Sequence, residues 1–426
     1  MIALKALIRI VSFLHFLSSG TLSVESAKEL GQRNPRFLSL FQVVQFPNDS
    51  CNGSNGKNGT CYTSAECESR VGTSSGSCAS GYGICCTFTA RCGATRSENC
   101  TYFESNGGEV GSCSVNICPC SDNICQLRLD FNSFVITGPS TSTVSTSKTL
   151  NGQQVGSTVG VASTQATQCL TDSFSVTNPN GVSPSVICGT NTGEHLYVDA
   201  HPKCNQLTFQ LSTLTGQITA SRSWSIKITQ LSCDFVNLAP DGCDQYFFGS
   251  TTGVVRTFNY NGGSGYHLAN QDQNICVRLC FQIPIQSVLS DLTSIFYSRQ
   301  ERTTCRICWS ATNDIDFMLS GGAAGGVTSV ACCGYGSKGT KTAGFDCVMI
   351  PSASKMAVSK VILPAAAFCG RSKGLVSVGG GNSATVCSRK TPFNLRFLSD
   401  GFEFVNEAAI TDRGFQLNYI LSGTNC

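Results

Sequence analysis

Arg222-Ser-Trp-Ser-Ile-Lys-Ile-Thr-Gln-Leu-Ser-Cys233 and Arg413-Gly-Phe-Gln-Leu-Asn-Tyr-Ile-Leu-Ser-Gly-Thr-Asn-Cys426 share one design. Trp224, Ile226 and Ile228 alternate with polar residues in the first stretch, and Phe415, Leu417 and Tyr419 do so in the second. Successive side chains of an extended chain point to opposite faces, so this period of two marks strands with one buried face and one wet face. Matching landmarks precede each stretch. The first follows Ile124-Cys125, Cys169, Cys188-Gly189 and Cys204; the second follows Ile307-Cys308, Cys347, Cys369-Gly370 and Cys387. Gaps between landmarks differ by a few residues, as loops vary around a fixed framework. Further alternation at Leu127, Leu129 and Phe131, at Leu207, Phe209 and Leu211, and at Phe393, Leu395 and Phe397 supplies more half-buried strands. The expected fold class is all-β, with two antiparallel β-sandwiches in tandem.

Among 426 residues there are 27 cysteines, a count natural to a disulfide-rich exported protein and unusual in a reducing compartment. Lys5 and Arg9 precede the apolar run Ile10 to Leu17, which gives way to Ser18-Ser19-Gly20. That order predicts a signal peptide over 1–20 and a secreted, extracellular protein. Residues 21–50 read as a linker or propeptide-like segment. No later run reaches the roughly 20 apolar residues of a membrane span, so stable membrane insertion is not expected. A net charge of +3 with 13% charged residues provides no basic patch for nucleic acid. Glycosylation sequons stand at Asn48, Asn52, Asn58 and Asn99. Ser/Thr-rich residues 139–147 read as a long solvated loop, with O-glycans as the alternative.

Cys51, Cys61, Cys67, Cys78, Cys85 and Cys86 leave little apolar material between them. Disulfides must hold such a unit together, and spacing leaves their connectivity open. The expected domains are therefore a small module at 51–92, a first sandwich at 93–233 and a second at 243–426. Segment 279–298 is apolar and free of Lys and Arg; removing it, with Cys280, leaves an even number of cysteines. It is read either as a retained intron or isoform-specific insertion, or as a genuine loop.

The second repeat, with Phe397-Leu-Ser-Asp-Gly401 and Gly414-Phe-Gln-Leu-Asn-Tyr419, resembles the CUB family, as does the first at Leu207 to Leu211 and Ser223 to Lys227. With Phe258 to Cys276, the chain is similar to tandem-CUB secreted proteins common among arthropods. The close Gly81-Tyr-Gly-Ile-Cys-Cys86 resembles clip-type modules. The resemblance implies jelly-roll sandwiches with bridges Cys169–Cys188 and Cys347–Cys369. The matching extra cysteines suggest Cys204–Cys233 and Cys387–Cys426. It also implies a calcium site in the second repeat, because a hard cation gathers carboxylate oxygens from adjacent loops. Asp346 and Asp400 match the family aspartates, and Asp314 or Asp316 supplies the third carboxylate; the competing reading is ordinary solvated loop acids. Asp172 matches in the first repeat, where the second aspartate is missing and no calcium is expected.

No hydrolase signature is present: His195, His201 and His267 lie in no His-Glu-x-x-His motif, and no nucleophile elbow occurs. His195 reads as a strand residue near the surface. Cys305-Arg-Ile-Cys308 with Cys332-Cys333 reads as disulfides rather than a metal or redox site. The expectation is a non-enzymatic protein that binds extracellular proteins or glycans. The alternatives are a protease regulator or inhibitor acting through the 51–86 unit, and a structural cuticle or matrix component.

Overall fold

The computed structural model describes residues 45–142, 148–150, 153–155, 163–200, 202–214, 221–278, 305–319, 327–328, 332–334, 346–355, 366–370, 374–376, 385–399, 403–404 and 413–423. The expected signal peptide, most of the linker, segment 279–298, Asp400, Cys280 and Cys426 lie outside them. Residues from Phe46 onward form one compact unit.

Nearly all regular structure is β. The first sandwich sets strands Thr101–Glu104, Ser223–Ser232, Ile124–Val135 and His195–Asp199 in one sheet, and Asp172–Thr177, Asn205–Leu211, Gly111–Ile117 and Thr95–Arg96 in the other. The alternation carries through: Asn205, Leu207, Phe209 and Leu211 are buried while Gln206, Thr208 and Gln210 are not. Between the sheets, Trp224 stacks on Phe209 with ring centroids 4.0 Å apart and meets Phe103 edge-on at 5.9 Å.

The second sandwich repeats this plan. Strands Thr252–Arg256, Gly414–Ser422, Arg306–Ser310 and Val386–Ser388 form one sheet; Cys347–Met349, Phe393–Leu398, Asp272–Val277 and Gln245–Phe247 are neighbours in the other. A parallel pair at one edge also recurs, Thr95–Arg96 beside Gly111–Ile117 and Gln245–Phe247 beside Asp272–Val277. The bridges Cys92–Cys113 and Cys243–Cys276 tie the same two places together. Trp309, Phe317, Phe397, Phe415 and Leu417 fill the second core.

The front module is held by Cys51–Cys85, Cys61–Cys78 and Cys67–Cys86. It is not a separate bead. Its strand Gly83–Ala90 runs on beside Thr101–Glu104, pairing Phe88 with Thr101, so the module extends a sheet of the first sandwich. Its α-helix, Ser64–Ser69, starts at a capping box in which Thr63 accepts from the Glu66 N–H and Glu66 accepts from the Thr63 N–H.

Register, rather than nearness in sequence, decides the remaining bridges. Cys169 pairs with Cys188. Cys204 pairs with Cys118 instead of Cys233, because Asn205 opposes Ile117 and brings the preceding and following residues together. Cys233 instead closes on Cys125 of the adjacent strand. Cys387 faces Cys308 across a strand pair and bonds to it, which corrects the expected Cys387–Cys426 link. Cys347 and Cys369 are not bonded to each other; their partners are Cys333 and Cys332. Cys305 is also disulfide-bonded, so the Cys305-x-x-Cys308 and Cys332-Cys333 pairs are all oxidised.

The two sandwiches share buried surface. Phe258 and Leu268, on the loop after Thr252–Arg256, lie in the first sandwich's core. Asn259 donates through its backbone N–H to Asn191 Oδ1 at 2.7 Å and accepts from the Thr190 N–H at 3.0 Å. Gly189 makes this approach possible: its φ is +80°, and a Cβ there would lie 2.0 Å from Asn259 Oδ1. Edge strand His195–Asp199 is covered where the Tyr197 N–H donates to the Asp244 carbonyl. A division at residues 233–243 would cut a cluster containing Tyr197, Leu231, Ala239, Cys243 and Tyr246.

His195 is buried at this joint, not near the surface, and its Nε2 accepts from the Tyr246 N–H at 3.1 Å. Burial, reinforced by Arg128, lowers its pKa to about 4. Nearby Asp244 moves the opposite way: burial raises it to about 6, against the Asn274 N–H and Arg396 and with the help of Asp272. Burial also raises Glu194, which outweighs Arg256 and Gln245. Asp130 is the remaining acid acting on His195.

The consequences oppose each other. A depressed histidine pKa gives stability that is present above about 6.5 and lost as pH falls towards 4, whereas a raised carboxyl pKa gives stability gained as pH falls from about 6 towards 3.8. Each amounts to about 3 kcal/mol, since a tenfold change in proton affinity is worth about 1.4 kcal/mol. Between pH 6.5 and 4 these two contributions therefore nearly offset each other. Relative to wild type, the Asp244→Asn variant should lose about 3 kcal/mol over that interval, measured by urea denaturation at each pH. Parallel profiles for the two proteins would contradict this expectation.

Candidate functional site

Two residues predicted as calcium ligands, Asp316 and Asp346, lie at one end of the second sandwich. Phe317 opposes Phe415, which places the preceding Asp316 beside the head of the terminal strand. Gly414 starts that strand with φ +89°, and a Cβ there would meet Thr257 Oγ1 at 2.1 Å and His267 Cβ at 3.2 Å. Asp346 precedes strand Cys347–Met349 and faces His267, with Oδ2 3.3 Å from Nε2. Both side chains are almost wholly buried.

Asp316 is already engaged. Its Oδ2 accepts from the backbone N–H groups of Thr312 and Asn313 and from Asn313 Nδ2, at 3.2, 2.8 and 3.0 Å. Its Oδ1 accepts from the Tyr260 hydroxyl at 2.7 Å. Burial and that bond to a carboxylate raise the Tyr260 pKa. The arrangement pins the 312–316 turn to the 257–271 loop. A calcium cage takes about six to eight oxygens, largely unencumbered by protein N–H donors. Both Asp316 oxygens already accept from these donors, Asp346 faces His267, and Asp400 of the expected set lies outside the described residues. Among the described residues no three His, Cys, Asp or Glu side chains are placed to hold a metal.

The same end of the first sandwich is built differently. Asp172 heads strand Asp172–Thr177, the counterpart of Cys347–Met349, and is buried. Arg222 clasps it through Nη2 to Oδ1 at 2.6 Å and Nε to Oδ2 at 2.9 Å. The N–H groups of Thr137 and Ser212 donate to the same carboxylate at 2.9 and 3.0 Å. Burial opposes the charge on Asp172, but these donors outweigh it and hold its pKa below the ordinary value. Arg222 also donates to the carbonyls of Ser212 and Glu109. One ion pair thus fixes three loops. On those loops, or beside them, Val110, Leu170 and Leu214 are 59%, 59% and 60% exposed. Loops held on a rigid scaffold are where binding residues concentrate, which makes this loop end the candidate binding surface. Sequence reading missed them, although Leu170 beside Cys169 and Leu214 beyond strand Asn205–Leu211 are apolar residues in polar loops.

Sequons divide by structure. Asn48 and Asn52 are exposed. Asn58 Nδ2 donates to Asn52 Oδ1, and Asn99 Nδ2 donates to the Gln230 carbonyl.

Residues 240–422 match the animal CUB domain, a β-sandwich module that serves extracellular binding and protein interaction. The match falls on the second sandwich and its approach from residue 240. No curated protein matches the chain. Among the described residues no helix is long and apolar enough to cross a membrane.

Proposed function

We propose that this is a secreted, non-enzymatic binding protein in which both sandwiches are CUB modules, joined as one rigid body and preceded by a disulfide-rich extension. The observation that carries this reading is the common strand order: the first sandwich reproduces the topology of the sandwich that matches the family, including the parallel pairing of Thr95–Arg96 with Gly111–Ile117. The partner is an extracellular protein, bound at the first sandwich's loop end through Leu170 and Leu214. Aliphatic side chains there suit an apolar protein surface better than a sugar ring. Binding is independent of calcium, since both Asp316 oxygens are engaged by Tyr260 and the 312–313 turn and Asp172 already has Arg222. Independent protease docking by the front module has less support, because strand Gly83–Ala90 passes directly into the sandwich sheet.

The test is binding of the full chain to an array of extracellular proteins and glycans, with calcium and with a chelator. The expected result is saturable protein binding that survives the chelator and weakens at least roughly tenfold in a Leu170→Asp/Leu214→Asp variant. Binding lost with the chelator, binding unchanged in the variant, or no protein bound would contradict the reading.

A further inference from the structure

Among the described cysteines only Cys100 and Cys120 are unbonded. They do not stand apart. Both line a cavity of about 390 Å³, shared with Tyr62 and Arg70 of the front module and with Glu98 and Asn99. One buried side chain draws their two segments together. Gln230 Nε2 donates to the carbonyls of Ser97 and Cys118 at 3.0 and 3.1 Å, while its Oε1 accepts from the Cys120 N–H at 2.7 Å. The Gln230 backbone N–H and carbonyl in turn bond the side-chain amide of Asn99 at 3.0 and 2.9 Å. Residues 97–100 and 118–120 are therefore laced to the same point of the terminal strand. Cys100 lies on that strand's Thr229, with Sγ 3.8 Å from Oγ1, and Cys120 is the exposed member of the pair.

We propose that Cys100 and Cys120 form a reversible disulfide, made by thiol–disulfide exchange with a low-molecular-weight disulfide, which bridges the wall of the cavity between the module and the first sandwich. Cys120, the accessible thiol, loses its proton and attacks one sulfur of the small disulfide. A mixed disulfide forms on Cys120, and one small thiol leaves with a proton. Cys100 then loses its proton and attacks the Cys120 sulfur, which expels the second small thiol. Two protein thiols are oxidised to one disulfide, and one small disulfide is reduced to two thiols. Burial raises the pKa of both thiols, so neutral solution keeps them largely protonated and exchange quickens as pH rises. The inference goes beyond the binding surface proposed above and does not depend on it.

The test uses the full-length chain, as isolated and after incubation with oxidised glutathione, trapped with N-ethylmaleimide in denaturant and mapped by mass spectrometry without reduction. The expected product is a peptide pair joined through Cys100 and Cys120, with maleimide lost from both and the other bridges retained. In the Cys100→Ser variant the reaction should stop with one glutathione on Cys120. Either cysteine joined elsewhere, both still carrying maleimide after oxidation, or wild-type Cys120 stopping at the glutathione adduct would overturn the proposal. The remaining disulfides serve as an internal control: if they too are reduced as isolated, the secreted reading fails while the exchange reaction can still be scored.

Discussion

Replacing Asp172 by Ala should destabilise the first sandwich by about 3–5 kcal/mol, because it leaves a buried guanidinium without its counter-charge. Arg222 is only 7% exposed and gives two of its N–H groups to Asp172. The substitution also leaves the N–H groups of Thr137 and Ser212 without their acceptor. Removing both charges together, as Asp172→Leu/Arg222→Met, should cost much less than Asp172→Ala alone, since the expensive state is the unpaired charge. The chain has two tryptophans, so fluorescence of Trp224 in a Trp309→Phe background reports the first sandwich in a denaturant titration. A loss below about 1 kcal/mol in Asp172→Ala would mean that the pair is solvated and does not organise the loop end.

Phe258→Ala is the second large effect, at about 3–5 kcal/mol for truncating a buried aromatic. Its informative aspect is where the loss appears. Phe258 belongs to the region that matches the CUB domain, yet its ring lies in the first sandwich's core. The residue after it, Asn259, seats against Gly189, Thr190 and Asn191. The variant should therefore lower the unfolding midpoints reported by Trp224 and by Trp309 together. A shift seen by Trp309 alone would place Phe258 in the second sandwich only.

Much of this architecture was legible in residue order. Alternation at Trp224, Ile226 and Ile228, and at Phe415, Leu417 and Tyr419, marks strands whose buried faces are those that alternate. The duplicated landmarks anticipated two sandwiches, and Cys188-Gly189 and Cys369-Gly370 do occupy matching places, each glycine carbonyl accepting from Ile136 or Leu319. Relations across the fold were not legible in the same way. Cys125 bonds to the terminal strand, whereas Cys308, its match in the repeat, bonds to Cys387 on the other side. Register sets those neighbours, and a displacement of a residue or two along a strand changes which cysteine lies opposite. The calcium expectation rested on the family resemblance at Asp346 and Asp400, the second of which lies outside the described residues. It could not register that Asp316 is consumed by Tyr260 and the 312–313 turn, or that Asp346 faces His267. His195 looked superficial because its strand is an edge, and only the second sandwich buries it.

The central claim is that two sandwiches of one topology form a single rigid body rather than beads on a linker. Differential scanning calorimetry of the oxidised full chain at neutral pH tests it most directly. A single endotherm is expected, with calorimetric and van't Hoff enthalpies in agreement, moved as a whole by Phe258→Ala. Two resolved transitions, only one of them shifted by that substitution, would contradict it.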